Sequence, residues 1–247
     1  MSVSAADAAL IAAAHRATLT ELLGNCGSAR SFAGTPWRRV LSDAGLALQV
    51  FDAEVPGDSM RRFKGVCELP FPPAVCYSAL DDHPARSRWD SNLHALEAAP
   101  LQAAPFRAAL LHSVTRAVGP IAARDFIDCC VLLEMTGEEA PAGPEAFRAP
   151  AGTVVSGGVG VEADARFPEG AGVGAVRGFN GSSGWVFEPL LEADGVTVRG
   201  CRCHYVIHTH LRGWLPDIVV NGSIAGSYKS FFGDLTKRLG ELAGVKP

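Results

Sequence analysis

From Cys201 to Leu211 the chain alternates with a period of two: Cys201, Cys203, Tyr205, Ile207, Thr209 and Leu211 on one side, Arg202, His204, His208 and His210 on the other. That period predicts a strand with one apolar face and one solvated face. Arg212-Gly213 supplies a turn, and Pro216 suits the first position of a helix, where no backbone N–H is needed. Beyond it, Tyr228, Phe232, Leu235, Leu239 and Leu242 recur at spacings of four and three, one helical face with Lys229, Lys237, Arg238 and Glu241 largely off it. A long strand therefore hands over to a long C-terminal helix that must lie on something apolar.

Upstream, Ala5 to Leu23 reads as a helix stopped at Gly24-Asn25, followed by a turn-rich segment to Pro36. Leu46–Val55 and Met60–Leu69 read as strands joined at Pro56-Gly57-Asp58, and Pro72–Leu80 as a short helix. A polar stretch around Trp89-Asp90 leads to a short strand over Leu93–Glu97. Phe106–Val118 and Phe126–Met135 are the clearest central strands. Thr136–Ala151 is a Pro/Gly/Glu-rich loop, and Thr153–Ala163, Gly174–Phe179, Gly184–Pro189 and Val196–Leu211 complete the set. A helix, many strands, short helices and a final helix predict an α+β fold with an antiparallel sheet.

At 247 residues with 48% hydrophobic positions, the chain suits one large domain with a sizeable core. A net charge of -4 leaves no electrostatic footprint for nucleic acid, and the pairs Arg38-Arg39 and Arg61-Arg62 read as solvated positions. Seven cysteines without a framework spacing predict free thiols in a reducing, cytoplasmic compartment. The apolar run Ala8–Ala14 is too short to span a membrane.

The order strand, Gly213-Trp214-Leu215-Pro216, Val219-Val220-Asn221, amphipathic helix resembles the end of a START domain, the steroidogenic acute regulatory protein-related lipid-transfer family. Arg124-Asp125-Phe126 resembles that family's Pro-Arg-Asp-Phe signature, with Ala123 in place of proline. Val176-Arg177-Gly178-Phe179-Asn180, followed by Gly184-Trp185-Val186-Phe187-Glu188-Pro189, resembles the small single-domain branch with sterol and bile-acid binders. The resemblance implies a helix-grip fold, a curved antiparallel sheet wrapped around the C-terminal helix and enclosing a hydrophobic tunnel. Residues 32–243 would form this domain, with 1–31 an N-terminal helix and linker.

Function follows as an expectation. The chain would act as a monomeric, non-enzymatic carrier of one lipid (a sterol, bile acid, carotenoid or phospholipid) between membranes, with no cofactor. Positions at which some sterol carriers of the family hold a buried Glu–Arg pair fall on Leu111 and Cys130, so that pair is absent here. The expected tunnel lining is Leu111, Ser113, Thr115, Cys130, Leu132, Tyr205, Ile207, Thr209, Val220 and Ile224, with Trp214 and Leu215 touching the membrane. Trp214 as a core anchor is the competing reading. Gly222 and Gly226 are expected either to let the helix approach the sheet or ligand closely or to keep this half of the helix weak enough to open.

Other chemistries find little support. The histidines of the long strand alternate away from Cys201 and Cys203 and offer no convergent metal ligands. Gly170–Ala175 lies between strands rather than opening a helix, so it cradles no phosphate. No Gly-x-Ser-x-Gly elbow occurs. Asp81-Asp82-His83 reads as the end of a short helix, and Arg124-Asp125 as a structural tie between a strand entrance and a loop. The inward residues Leu, Cys, Ser, Thr, Tyr and Ile are a poor acid/base set, which argues against a polyketide-cyclase-type enzyme. A lipid-gated adaptor using the acidic loop Glu138–Glu145 is a further alternative.

Overall fold

The computed structural model describes residues 4–27, 30–101, 107–137, 147–169, 174–214 and 216–244. Its strands are β1 (Arg38–Asp43), β2 (Leu48–Ala53), β3 (Arg62–Leu69), β4 (Leu93–Leu101), β5 (Arg107–Thr115), β6 (Arg124–Glu134), β7 (Val154–Gly160), β8 (Val176–Arg177), β9 (Phe179–Asn180), β10 (Ser183–Leu191) and β11 (Val198–His210). They form one sheet in the order β1-β2-β3-β11-β10-β7-β6-β5-β4, antiparallel between neighbours, with β8 beside β6 and β9 beside β11. β1 and β4 are free edges, so the sheet curves without closing. β11, the longest strand, runs through its middle between β3 and β10.

The N-terminal segment covers one face. Helix α1 (Ala5–Ala17) starts at Ser4, whose hydroxyl accepts the Asp7 amide at 3.0 Å. Its Ile11 and Ala14 pack on Leu110, Ile127, Cys129 and Val131. A π-turn over Thr18–Leu22 follows, where the hydroxyls of Thr18 and Thr20 bond back to the Ala14 and Arg16 carbonyls at 2.8 Å and loosen the ladder. The helix then runs on as α2 (Leu23–Cys26), past the expected stop at Gly24-Asn25. Both residues are buried: Phe32 packs against Gly24, and Asn25 accepts the Phe32 amide at 2.8 Å.

Helix α5 (Asp217–Leu242) grips the other face. Tyr228, Phe231, Phe232, Leu235 and Leu239 join Leu48, Val50, Phe63 and Cys67 in the main core. A side chain at Gly65 would collide with the Tyr228 ring, so glycine there lets helix and sheet meet. The Tyr228 hydroxyl donates to the Tyr205 carbonyl at 3.1 Å. Two short helices, α3 (Pro73–Asp81) and α4 (His83–Trp89), pack against α5 at its side.

Several sequence expectations are corrected. Arg38-Arg39 is exposed as expected but lies in β1, an edge strand the pattern did not reveal, where Arg38 pairs with buried Asp52 at 2.9 Å. Arg62 is buried rather than solvated, 3.6 Å from Glu21 of the N-terminal segment. The same segment covers the even face of β11, so His204 and His208 are buried, with Phe147 against His204. Asp82 ends α3 and also caps α4 by accepting the Ala85 amide, so the supposed polar stretch before Trp89 is a helix. Phe106, the turn positions 170–173, the loop Glu138–Glu145 and Leu215 lie outside the described residues.

Candidate functional site

α5 rests on β1, β2 and β3, while α1 takes the opposite face of β6 and β7. α3 covers part of the α5-facing side of β7 and β10, and the open space lies over β5, β6 and the remainder of that side. The first half of α5 cannot fill this space because it presents Gly222, Ser223, Gly226 and Ser227. A cavity of about 860 Å³ results, within the range of drug-sized ligand sites. A Cβ built on Gly222 or Gly226 would meet nothing within 4 Å, so these glycines do not bring the helix close to the sheet as expected; they widen the cavity.

Strand periodicity brings the predicted positions to one surface. Leu111, Ser113 and Thr115 of β5, Cys130 and Leu132 of β6, and Tyr205, Ile207 and Thr209 of β11 line the cavity, and Ile224 lines it from α5. Val220 instead packs in the core beside Phe63 and Tyr228. Tyr205 stacks on Trp185 with ring centroids 3.3 Å apart, so its ring is part of a rigid wall. The Thr115 hydroxyl is taken up by the sheet, accepting the Arg124 amide at 3.1 Å.

The polar character of the cavity comes from residues the pattern did not single out. Asp128 stands on β6 two positions before Cys130 and directly opposite Leu111. Asn180 donates to its carboxylate oxygens at 3.1 and 3.0 Å, and Thr209 in turn hydrogen-bonds the Asn180 side-chain oxygen. Among the described residues no cation lies within ion-pair distance of Asp128, and burial pushes its pKa up from 3.8 to about 6, with the Asn180 hydrogen bonds working the other way. Near α4, Arg86 reaches buried Asp90 at 3.3 Å and lies over the Trp185 and Phe231 rings. Burial raises the Asp90 carboxyl despite that partner. The signal for Asp128 was one carboxylate inside the apolar run Phe126–Leu133 at cavity-facing parity. The expectation of an inward set with no ionisable acid is thus corrected.

Arg124 and Asp125 leave β6 in opposite directions. Arg124 donates to the Leu211 carbonyl at 2.5 Å and the Arg212 carbonyl at 3.1 Å, fixing the turn between β11 and α5. Asp125 lies on the α1 face between His112 at 3.1 Å and Arg177 at 2.7 Å. Burial pushes its carboxyl up, but the hydrogen bonds from Arg177 and His112 outweigh it and hold the pKa below the usual range. At the turn itself Trp214 is 99% exposed, which removes the core-anchor reading. The strand histidines do find a convergent partner: Asp58, in the turn between β2 and β3, meets both His208 and His210.

This architecture recurs in solved structures. The chain is similar to human StAR-related lipid transfer protein 5, with 20% identity, a TM-score of 0.68, and 84% of this chain and 88% of that one covered. It is also similar to human STARD10, at 19% identity and a TM-score of 0.61 over 81% of this chain and 73% of that one. A STAR-related lipid transfer protein fragment from Xanthomonas axonopodis gives 17% identity and a TM-score of 0.59, covering 82% and 98%. Comparison with curated protein sequences gives no match. The START domain profile matches residues 37–243, from the edge strand through the gripping helix, and the protein belongs to the START domain family.

Proposed function

We propose that this protein is a lipid carrier that holds one apolar molecule of sterol size, with a hydrogen-bond-donating head, in the cavity beneath α5. The observation that carries this reading is the cavity of about 860 Å³ with an Asp128–Asn180–Thr209 cluster in a wall of Leu111, Leu132, Ile207 and Ile224. Burying a sterol-sized hydrocarbon at about 0.8 kcal/mol per CH₂ yields on the order of 10 kcal/mol before entropic costs. A ligand hydroxyl donating to Asp128 would orient the molecule. Names of similar proteins, such as human StAR-related lipid transfer protein 5, support transfer as the task. Exposed Trp214 supports contact with a membrane surface beside the start of α5, since its ring and N–H suit the interface. Among the described residues no helix is long and apolar enough to cross a membrane. Seven cysteines without disulfides support a reducing, cytoplasmic setting.

Titration with a fluorescent sterol tests the ligand class, with native mass spectrometry of the protein as purified. Saturation at one ligand per chain is expected. No saturable binding and no copurified lipid would remove the sterol assignment.

Asp128 also favours a second reading, an enzyme using a carboxyl that titrates near neutrality as acid or base. Recovering the bound molecule after long incubation separates the two: an unchanged mass supports the carrier, a converted product the enzyme.

A further inference from the structure

Outside the cavity, on the opposite face of β11, three side chains converge. Strand periodicity sends His208 and His210 to the same side, away from Ile207 and Thr209. The turn between β2 and β3 brings Asp58 to them. Asp58 is held from behind: its amide donates to the Val55 carbonyl at 3.0 Å, and its Oδ1 accepts the Met60 amide at 2.9 Å. That leaves Oδ2, which stands 3.2 Å from His208 Nε2 and 3.0 Å from His210 Nε2. The His208 side chain is only 9% exposed, and its Nε2 has no hydrogen-bond partner, since the ring N–H direction misses the carboxylate. A buried polar atom left in that condition is destabilising, and a bound ion would satisfy it.

One donor atom from each of the three side chains lies within 4.8 Å of the other two. Ligand atoms bound to tetrahedral zinc at about 2.1 Å stand about 3.4 Å from one another. The two histidine–aspartate distances differ from that edge by a few tenths of an ångström. We propose that Asp58, His208 and His210 form a three-ligand site for a divalent transition metal of the zinc class, with its remaining position open to solvent. Two imidazoles and one carboxylate suit zinc-class ions, whereas calcium and magnesium take oxygen ligands. Arg62, across from His208 in the β3–β11 ladder, opposes a dication, so binding should be weaker than at a closed structural site. The bound ion would tie the β2–β3 hairpin to the end of β11, just ahead of the turn that carries Trp214. The site is separate from the cavity and does not rest on the lipid reading.

Isothermal titration of the metal-stripped full chain with zinc chloride tests this, with cobalt(II) as the spectroscopic probe. One equivalent should bind, and zinc should raise the melting temperature. His210→Ala and Asp58→Asn, both at partly exposed positions, should each weaken binding at least tenfold and abolish that rise while leaving the metal-free melting temperature near wild type. Cobalt(II) should show d–d bands without a thiolate-to-metal charge-transfer band, which separates the site from the cysteines. Absence of saturable zinc binding at neutral pH would overturn the proposal. So would binding that both substitutions leave unchanged, or a cobalt adduct with thiolate charge transfer.

Discussion

Asp128→Asn should stabilise the protein at neutral pH although it deletes a charge that two amide contacts support. Burial lifts the Asp128 pKa from 3.8 to about 6, and each tenfold change in an ionisation constant corresponds to about 1.4 kcal/mol. Keeping the carboxylate ionised in the folded state therefore costs about 3 kcal/mol above the folded pKa. Asparagine removes that cost and keeps one of the two contacts to Asn180, losing about 1 kcal/mol with the other. The variant should gain about 2 kcal/mol near pH 7.5. Between the two pKa values the folded state binds more protons than the unfolded one, so wild-type stability falls as pH rises through that window and levels off above it. The variant lacks that slope, and the advantage should vanish below about pH 4. His204 and His208, whose pKa values burial lowers, lose stability as pH falls, but they cancel in the difference between the two proteins. Urea unfolding in a buffer series from about pH 4 to about pH 8 measures it. A pH-independent difference, or a less stable variant at neutral pH, would refute the burial argument.

Leu111→Asp should place a second carboxylate directly across the ladder from Asp128, and sterol binding should fall at least tenfold while circular dichroism stays native; unchanged affinity would remove Leu111 from the ligand surface. Trp214→Ala should leave stability within about 0.5 kcal/mol, as expected for an exposed position, and slow transfer between liposomes; normal transfer rates would refute the membrane contact. Gly222→Ala with Gly226→Ala should raise stability by up to about 2 kcal/mol through helix propensity, because neither methyl meets a neighbour, while the narrowed cavity weakens binding of the largest ligands; destabilisation on urea unfolding would show that the positions are not open.

Periodicity was enough to reveal β11 and α5, because each buries one regular face: Tyr228, Phe232, Leu235 and Leu239 fall at helical spacing, and Tyr205, Ile207 and Thr209 at strand spacing. The same rule placed most of the cavity lining. It failed where burial comes from a second layer. The even face of β11 looked solvated because it carries histidines, yet the N-terminal helix lies over it and buries His204 and His208. β1 escaped notice because an edge strand needs no apolar alternation, and its Arg38-Arg39-Val40 is exposed. Asp128 is visible in the sequence as a carboxylate in an apolar strand, but its partner Asn180 lies on β9, some fifty residues away. Asp58 and the two histidines meet only through strand order, because β3 and β11 are neighbours in space and far apart in sequence.

The missing side chain at Gly65 sets how near α5 comes to the sheet: the Tyr228 ring meets the strand there, and about two turns earlier Val220 and Asn221 hold the helix again, at the core and at the Arg61 amide. Between these two holds about 12 Å of helix carries Gly222, Ser223, Gly226 and Ser227 over the cavity like a beam resting on two piers. Bulk added at position 65 would lift one pier, so the height of the cavity depends on a position that does not line it.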